Sequence, residues 1–160
     1  MNRVSRVGLP LVLLFAAWVA QGQVILSEIM ADNQTTLADE DGTYADWIEL
    51  YNPGTSPVNL GGWSLTDDPT HVARWSFPAT NLPANGYLVL FASGKNRAVP
   101  GAPLHTDFNL KAAGEYLALL RPDTTAAAEF APAFPEQYPD MSYGVVPGVG
   151  TNYFSTPSPG

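Results

Sequence analysis

Carboxylates crowd one short stretch of this chain. Asp39, Glu40 and Asp41 precede Gly42, and Asp46 and Glu49 lie beyond it. Acids at alternate positions ahead of a glycine suggest a calcium loop, in which several oxygens must converge in fixed geometry. The register decides against the helix–loop–helix type. With Gly42 at the sixth position, Leu37 would be the first ligand and Ile48 the twelfth, and neither side chain carries an oxygen. A solvated acidic turn is the simpler expectation. A less regular calcium site built from Asp39, Asp41 and Asp46, with Trp47 or Tyr51 stacking on a sugar, is the alternative.

Other chemistries find less support. Cysteine is absent, so thiol catalysis is excluded. Ser64 comes after a glycine pair but lies in no G-x-S-x-G elbow. His71 and His105 stand far apart, without the spacing of a zinc motif. Ser93-Gly94-Lys95 lacks the upstream glycine of a phosphate loop. Asp67, Asp68 or Glu49 could serve glycoside hydrolysis, which needs two carboxyls flanking one bond. Adjacent strand residues such as Asp67 and Asp68 point to opposite faces, however. No set of nucleophile, base and orienting group emerges, so no catalytic residue is predicted. Asn33-Gln34-Thr35 matches a glycosylation acceptor, which matters only in a host that glycosylates it.

Aromatic side chains offer binding in place of catalysis. Trp47, Tyr51, Trp63, Trp75, Tyr87 and Tyr116 could line a face that stacks on sugars, or could fill a core. Trp63 and Trp75 sit among apolar strand residues and are assigned to the core. In "DWIELYN" alternation places Ile48 and Leu50 on one face and Trp47, Glu49 and Tyr51 on the other. The first pair is the core face. Trp47, Glu49 and Tyr51 are therefore the candidate ligand-binding residues, with Glu49 held by an arginine or by backbone N–H groups. Asn52-Pro53-Gly54 then predicts a type II turn at the strand's end.

The elements that must position these residues are short. Strands are expected at 24–30, 46–52, 63–67, 74–77, 87–93 and 115–121, with a weaker extended piece at 104–110 and marginal strands in "AAAEFA" and "MSYGVV". Gly, Pro, Asn and Asp separate them, which describes an all-β sandwich or barrel. Proline in so many connections leaves room for no long helix; only "TTAAAEFA" could make a helical turn.

The N-terminus has a different character. Arg3 and Arg6 precede an apolar run from Val7 to about Ala20, and small residues stand at Ala20 and Gly22. This is the layout of a secretory signal, so residues 1–22 are expected to be removed. The domain would then span 23–146, and 147–160 would be a Pro/Gly-rich tail or the start of a linker. No later apolar run is long enough to span a bilayer, so no transmembrane segment is expected after cleavage. The chain carries a net charge of −8, and losing Arg3 and Arg6 takes it to −10. Such a field repels phosphate and disfavours nucleic acid as a partner.

The ordered motifs also carry a resemblance. "SEIMADN", "DWIELYNPGTSPVNLGGWSLTDD", "RWSFPATNLPANGYLVLFAS", "LHTDFNLKAAGEYLALLRPD" and "SYG" together resemble bacterial members of the lamin tail domain family, over roughly residues 24–145. The middle portion is also similar to the tail domain of nuclear lamins. The resemblance implies an immunoglobulin-like β-sandwich of about 7–9 short strands without catalytic machinery. The acidic charge and missing basic flank set this chain apart from the nuclear type, so DNA binding is not carried over. Expected instead is an exported binding or adhesion module, periplasmic, at the cell surface or extracellular, with a protein or polysaccharide partner and no obligatory cofactor. The alternatives are the calcium-assisted carbohydrate module and an accessory domain of a larger exported hydrolase.

Overall fold

A computed structural model describes residues 23–160. The expected signal segment, 1–22, lies outside the described residues. The fold is all-β, with eleven strands: β1 Ile25–Met30, β2 Asp46–Tyr51, β3 Val58–Asn59, β4 Ser64–Thr66, β5 Trp75–Ser76, β6 Asn81–Leu82, β7 Tyr87–Ala92, β8 Leu117–Leu120, β9 Ala126–Phe130, β10 Ser142–Val146 and β11 Gly150–Phe154. They form a five-stranded sheet in the order β11-β10-β1-β2-β7, a four-stranded sheet in the order β5-β4-β8-β9, and a small β3-β6 pair. All pairings between strands are antiparallel. The expected sandwich is present, with more strands than the sequence suggests because β3 and β6 are two-residue pieces inside predicted loops.

The core lies between the two large sheets. Ile29, Ile48, Leu50 and Leu90 from one meet Leu65, Trp75, Leu117 and Leu119 from the other. Each is buried, and burial of a side chain of this size is worth about 1.5–3 kcal/mol. Alternation in β2 works as expected on this side, where Ile48 and Leu50 are fully buried. Trp75 joins the same core and Trp63 packs at its margin.

Two local expectations fail, and of the two readings of the "AAAEFA" stretch the marginal strand is the one that forms. The Asn52-Pro53-Gly54 corner is organised by a side chain and not by a type II turn. The buried Asn52 accepts from the Gly54 N–H through Oδ1 (3.0 Å) and donates through Nδ2 to the carbonyls of Ser56 and Pro83 (2.9 Å each). "TTAAAEFA" makes no helical turn, because β8 offers Ala126–Phe130 an edge to pair with. Residues 147–160 are not a plain tail: Gly150–Phe154 return as β11, in continuous register with β10 from Ser142↔Phe154 to Val146↔Gly150. Positive φ at Gly148 and Gly150 makes the hairpin turn, so the glycines that suggested a tail or linker are what allow the strand to fold back.

The 104–110 piece does not form a strand but covers the outer edge of β7. Phe91 N–H donates to the Leu104 carbonyl (2.8 Å) and Thr106 N–H to the Phe91 carbonyl (2.9 Å). An edge with unpaired backbone groups is thereby partly closed.

Candidate functional site

A β-bulge builds the site. The register between β1 and β2 runs Ile25↔Tyr51 and Leu26↔Leu50, then resumes at Glu28↔Glu49. Ser27 is the extra residue. A bulge breaks strict alternation, so Ser27 and Glu28 both reach the face of the sheet that Glu49 occupies, while Leu26 and Ile29 stay in the core. On the other side of β1, Gly144 stands opposite Glu28. A Cβ there would collide with the Ser27 carbonyl oxygen and crowd the Glu28 backbone. Glycine is required because β10 runs that close to the bulge.

Glu28 and Glu49 are thus cross-strand partners, and both are buried. Ser27 Oγ lies 2.6 Å from Glu49 Oε1 and 3.1 Å from the Glu49 carbonyl oxygen. Ser142 Oγ donates to Glu28 Oε1. Three further donors come from beyond β11. Ser158 donates from its N–H to Glu28 Oε1 (3.2 Å) and from its hydroxyl to Glu28 Oε2 (2.9 Å). The Gly160 N–H donates to Glu49 Oε2 (2.7 Å). Beside the two acids is a cavity of about 210 Å³, walled also by Tyr51, Tyr87 and Phe154. Tyr51 and Tyr87 are cross-strand partners with stacked rings, 4.5 Å between centroids and 24° between planes. Tyr87 is half exposed, so the ring pair forms a wall open to solvent.

Burial pushes the Glu49 carboxyl above its ordinary value, and the neighbouring Glu28 charge adds to this. The bonds from Ser27 and Gly160 oppose the shift without cancelling it. Burial is also the main cause that raises the Tyr87 phenol, with Tyr51 and Glu49 contributing.

Of the three ligand-binding candidates, the structure brings Glu49 and Tyr51 to this cavity and separates Trp47 from it. Trp47 is fully buried on the same face, against Met30 and Phe91, with Leu37 and Ala45 laid over it. Its cover is the 31–45 segment, pinned by Asn33, which donates to the Leu37 (2.7 Å) and Ala45 (2.8 Å) carbonyls. In the fold the Asn33 amide nitrogen is engaged and the residue is buried, so a glycan on it is incompatible with this packing. Of the two partners expected for Glu49, an arginine or backbone N–H groups, the second is present as the Gly160 N–H, and the Ser27 hydroxyl joins it. Glu28 and Ser158 are participants that the sequence did not single out, and Tyr87 stood there only among six aromatics that could line a face or fill a core.

The acidic turn has a different role. Asp39 and Asp41 both contact Lys95, the latter at 2.7 Å, and Asp41 also pairs with Arg97 (2.7 Å). Hydrogen bonds from Arg97 and Lys95 hold the Asp41 carboxyl down at about 2. Asp46 lies apart from this cluster: it accepts from the Asn33 N–H (3.5 Å), and burial pushes its carboxyl up to about 6. Among the described residues, no group of three or more acids, histidines or cysteines is disposed around a common metal position. Asp39, Asp41 and Asp46 therefore do not converge as the calcium alternative requires. Asp67 pairs with Arg74, and Asp68 Oδ1 accepts from the Thr70 N–H (2.8 Å) and hydroxyl (2.7 Å), so both carboxylates are engaged locally.

One row in this region does look catalytic. Ser93 Oγ lies 2.8 Å from His105 Nδ1, and His105 Nε2 lies 2.9 Å from Glu40 Oε2. An acyl-transfer site would also need backbone donors aimed at an oxyanion. Here the Gly94 N–H goes to the Phe108 carbonyl, the Asn96 N–H to the Thr106 carbonyl, and the Lys95 N–H to Ser93 Oγ itself. With its own amides consumed, and Glu40 shared with Arg97, the row acts as a pin between the 93–97 loop and the acidic turn.

The comparisons with known proteins bear on the family and its fold. No curated protein matches the chain. The family model described as Lamin Tail Domain matches residues 19–132, which takes in β1 to β9, Glu28, Glu49 and the tyrosine pair, and stops before β10, β11 and residues 155–160. The match spans most of the sequence, and the sandwich has the architecture that the family implies: the chain belongs to the lamin tail domain family.

Proposed function

We propose that this protein is an exported, non-catalytic binding or adhesion module that engages a protein or polysaccharide of the cell envelope. Support for interaction as its role comes from the family, whose members are non-catalytic immunoglobulin-like domains. Support for where it acts comes from the charged, apolar and small-residue order of residues 1–22. The observation that carries the binding site is the cavity itself: two buried carboxylates beside a stacked, half-open tyrosine pair. Aromatic walls with a few convergent polar groups are how small concave sites gain affinity and orientation. Carboxylates can accept hydrogen bonds only, so the ligand must donate O–H or N–H groups.

The test is retention of the protein, beginning at Gln23, on isolated envelope fractions and on a glycan array, with Tyr87→Ala as the comparison. Binding that falls with Tyr87→Ala supports the assignment. Undiminished binding by that variant moves the site elsewhere, and no binding to any envelope component removes the function.

A further inference from the structure

Four acids are buried among the described residues: Glu28, Asp39, Glu49 and Glu115. Asp39 pairs with Lys95, and Glu115 pairs with Lys111 at 2.6 Å. Glu28 and Glu49 meet no cation among the described residues, although they face each other across β1 and β2. Buried carboxylates without a counter-charge are costly. Here neutral hydroxyls and amides stand where a positive charge would be most favourable.

The segment supplying those amides is lightly held. Among the described residues, no backbone-to-backbone bond reaches 155–160. Pro157 and Pro159 have no N–H to offer a sheet. The hydrogen bonds that anchor the segment are the three from Ser158 and Gly160 to the two carboxylates. It therefore sits on the acids, with Ser158 in the cavity wall, by hydrogen bonding to them and not by extending the fold.

We infer that Ser158-Pro159-Gly160 is an internal stand-in for an alkylammonium ligand, as a lysine side chain presents, which displaces the segment and places its charge between Glu28 and Glu49 with its stem along Tyr51 and Tyr87. The ammonium has three donors and no acceptor, matching acids whose open positions are now met by N–H and O–H groups. Its charge neutralises the pair, and the tyrosine faces attract a cation and cover an aliphatic stem. The inference rests on the cavity being the binding site and adds the class of ligand and the device that gates it. Because Ser158 and Gly160 must leave the acids first, the apparent dissociation constant is the intrinsic one divided by the fraction of molecules in which they have done so.

The experiment is a titration of the full chain with n-butylammonium, n-butanol and N-acetyl-lysine amide, monitored through the backbone amide signals of Ser158 and Gly160. Butylammonium and the lysine derivative are expected to shift both signals to unbonded positions, and butanol to leave them in place. Glu28→Gln and Glu49→Gln, each checked for an unchanged fold spectrum, are expected to weaken binding about tenfold or more, the loss for a charge-assisted contact. Ser158→Ala combined with Gly160→Pro is expected to strengthen it by releasing the cover. Binding by butylammonium alone identifies a small amine as the ligand, and binding by both admits a lysine of a partner. Equal response to butylammonium and butanol, or binding without movement of Ser158 and Gly160, overturns the inference. If neither amine binds while Tyr87→Ala still lowers envelope retention, the inference falls and the binding site stands. If retention is also absent, both fall.

Discussion

Glu28 and Glu49 face each other across β1 and β2, both buried, with hydroxyl and amide donors as their partners and no cation among the described residues. One extra residue in β1 and one glycine in β10 produce this pairing. It concentrates negative charge beneath a tyrosine wall, in a domain otherwise held by ordinary sandwich packing.

Gly144→Ala tests the backbone that makes this pairing. The added methyl would meet the Ser27 carbonyl and force β10 away from the bulge. A loss of about 3 kcal/mol in chemical denaturation is expected, in the range for overpacking against backbone. A loss below about 0.5 kcal/mol, the level of a neutral surface change, would show that the bulge is not so confined.

Trp47 is structural. Trp47→Ala should cost about 3–5 kcal/mol by emptying the outer-face cluster. Its indole nitrogen is buried without a hydrogen-bond partner. Trp47→Phe should therefore cost much less, about 1–2 kcal/mol, and should leave envelope binding intact. Denaturant midpoints and a retention assay on the same variants separate the two roles.

The buried acids set a pH dependence with a definite sign. Burial raises Asp46 to about 6 and raises Glu49 above its ordinary value, so the folded state holds their protons more tightly than the unfolded chain. Their contribution is full below the ordinary carboxylate range and is lost as pH rises through the raised values. Asp39, Glu40 and Asp41 are lowered, mainly by hydrogen bonds to Lys95, His105 and Arg97 acting against burial. Their contribution is present at higher pH and lost as pH falls through the lowered values. The melting temperature should peak between roughly pH 4.5 and 6. Asp46→Asn should flatten the decline toward neutral pH and leave the acid limb unchanged; a decline that persists in full would assign it to other groups.

Glu49→Gln removes a buried charge but keeps an oxygen for the Gly160 N–H. At pH 7 this variant should melt no lower than the wild type, because the lost charge had been destabilised by burial and by Glu28. A clear drop in thermal melting would mean that the charged form is better satisfied than its contacts indicate.

The sandwich is legible in the sequence because its signals are local. Ile48 and Leu50 in β2 obey strict alternation, and Gly, Pro and Asp breaks mark the strand ends. Glu49 and Tyr51 are reachable the same way. Glu28 is not: alternation through "VILSEIM" groups it with Leu26, and only the bulge at Ser27 turns it to the side of Glu49. Trp47 departs from expectation for the opposite reason. Its outward direction is correct, but nothing local shows that the 31–45 segment folds over it through Asn33. The pairing of Asp39 and Asp41 with Lys95 joins residues more than fifty positions apart, and no local pattern encodes such a contact. The last strand is hidden by its own turn, since Gly148 and Gly150 signal a break but carry no sign of the strand that pairs beyond it.

The most direct measurement compares retention of the wild type and the Glu28→Gln/Glu49→Gln double variant on isolated envelope fractions, with circular dichroism confirming that both are folded. Retention of the wild type and release of the double variant is the predicted result. Equal retention of the two would contradict the assignment of the carboxylate pair as the binding site.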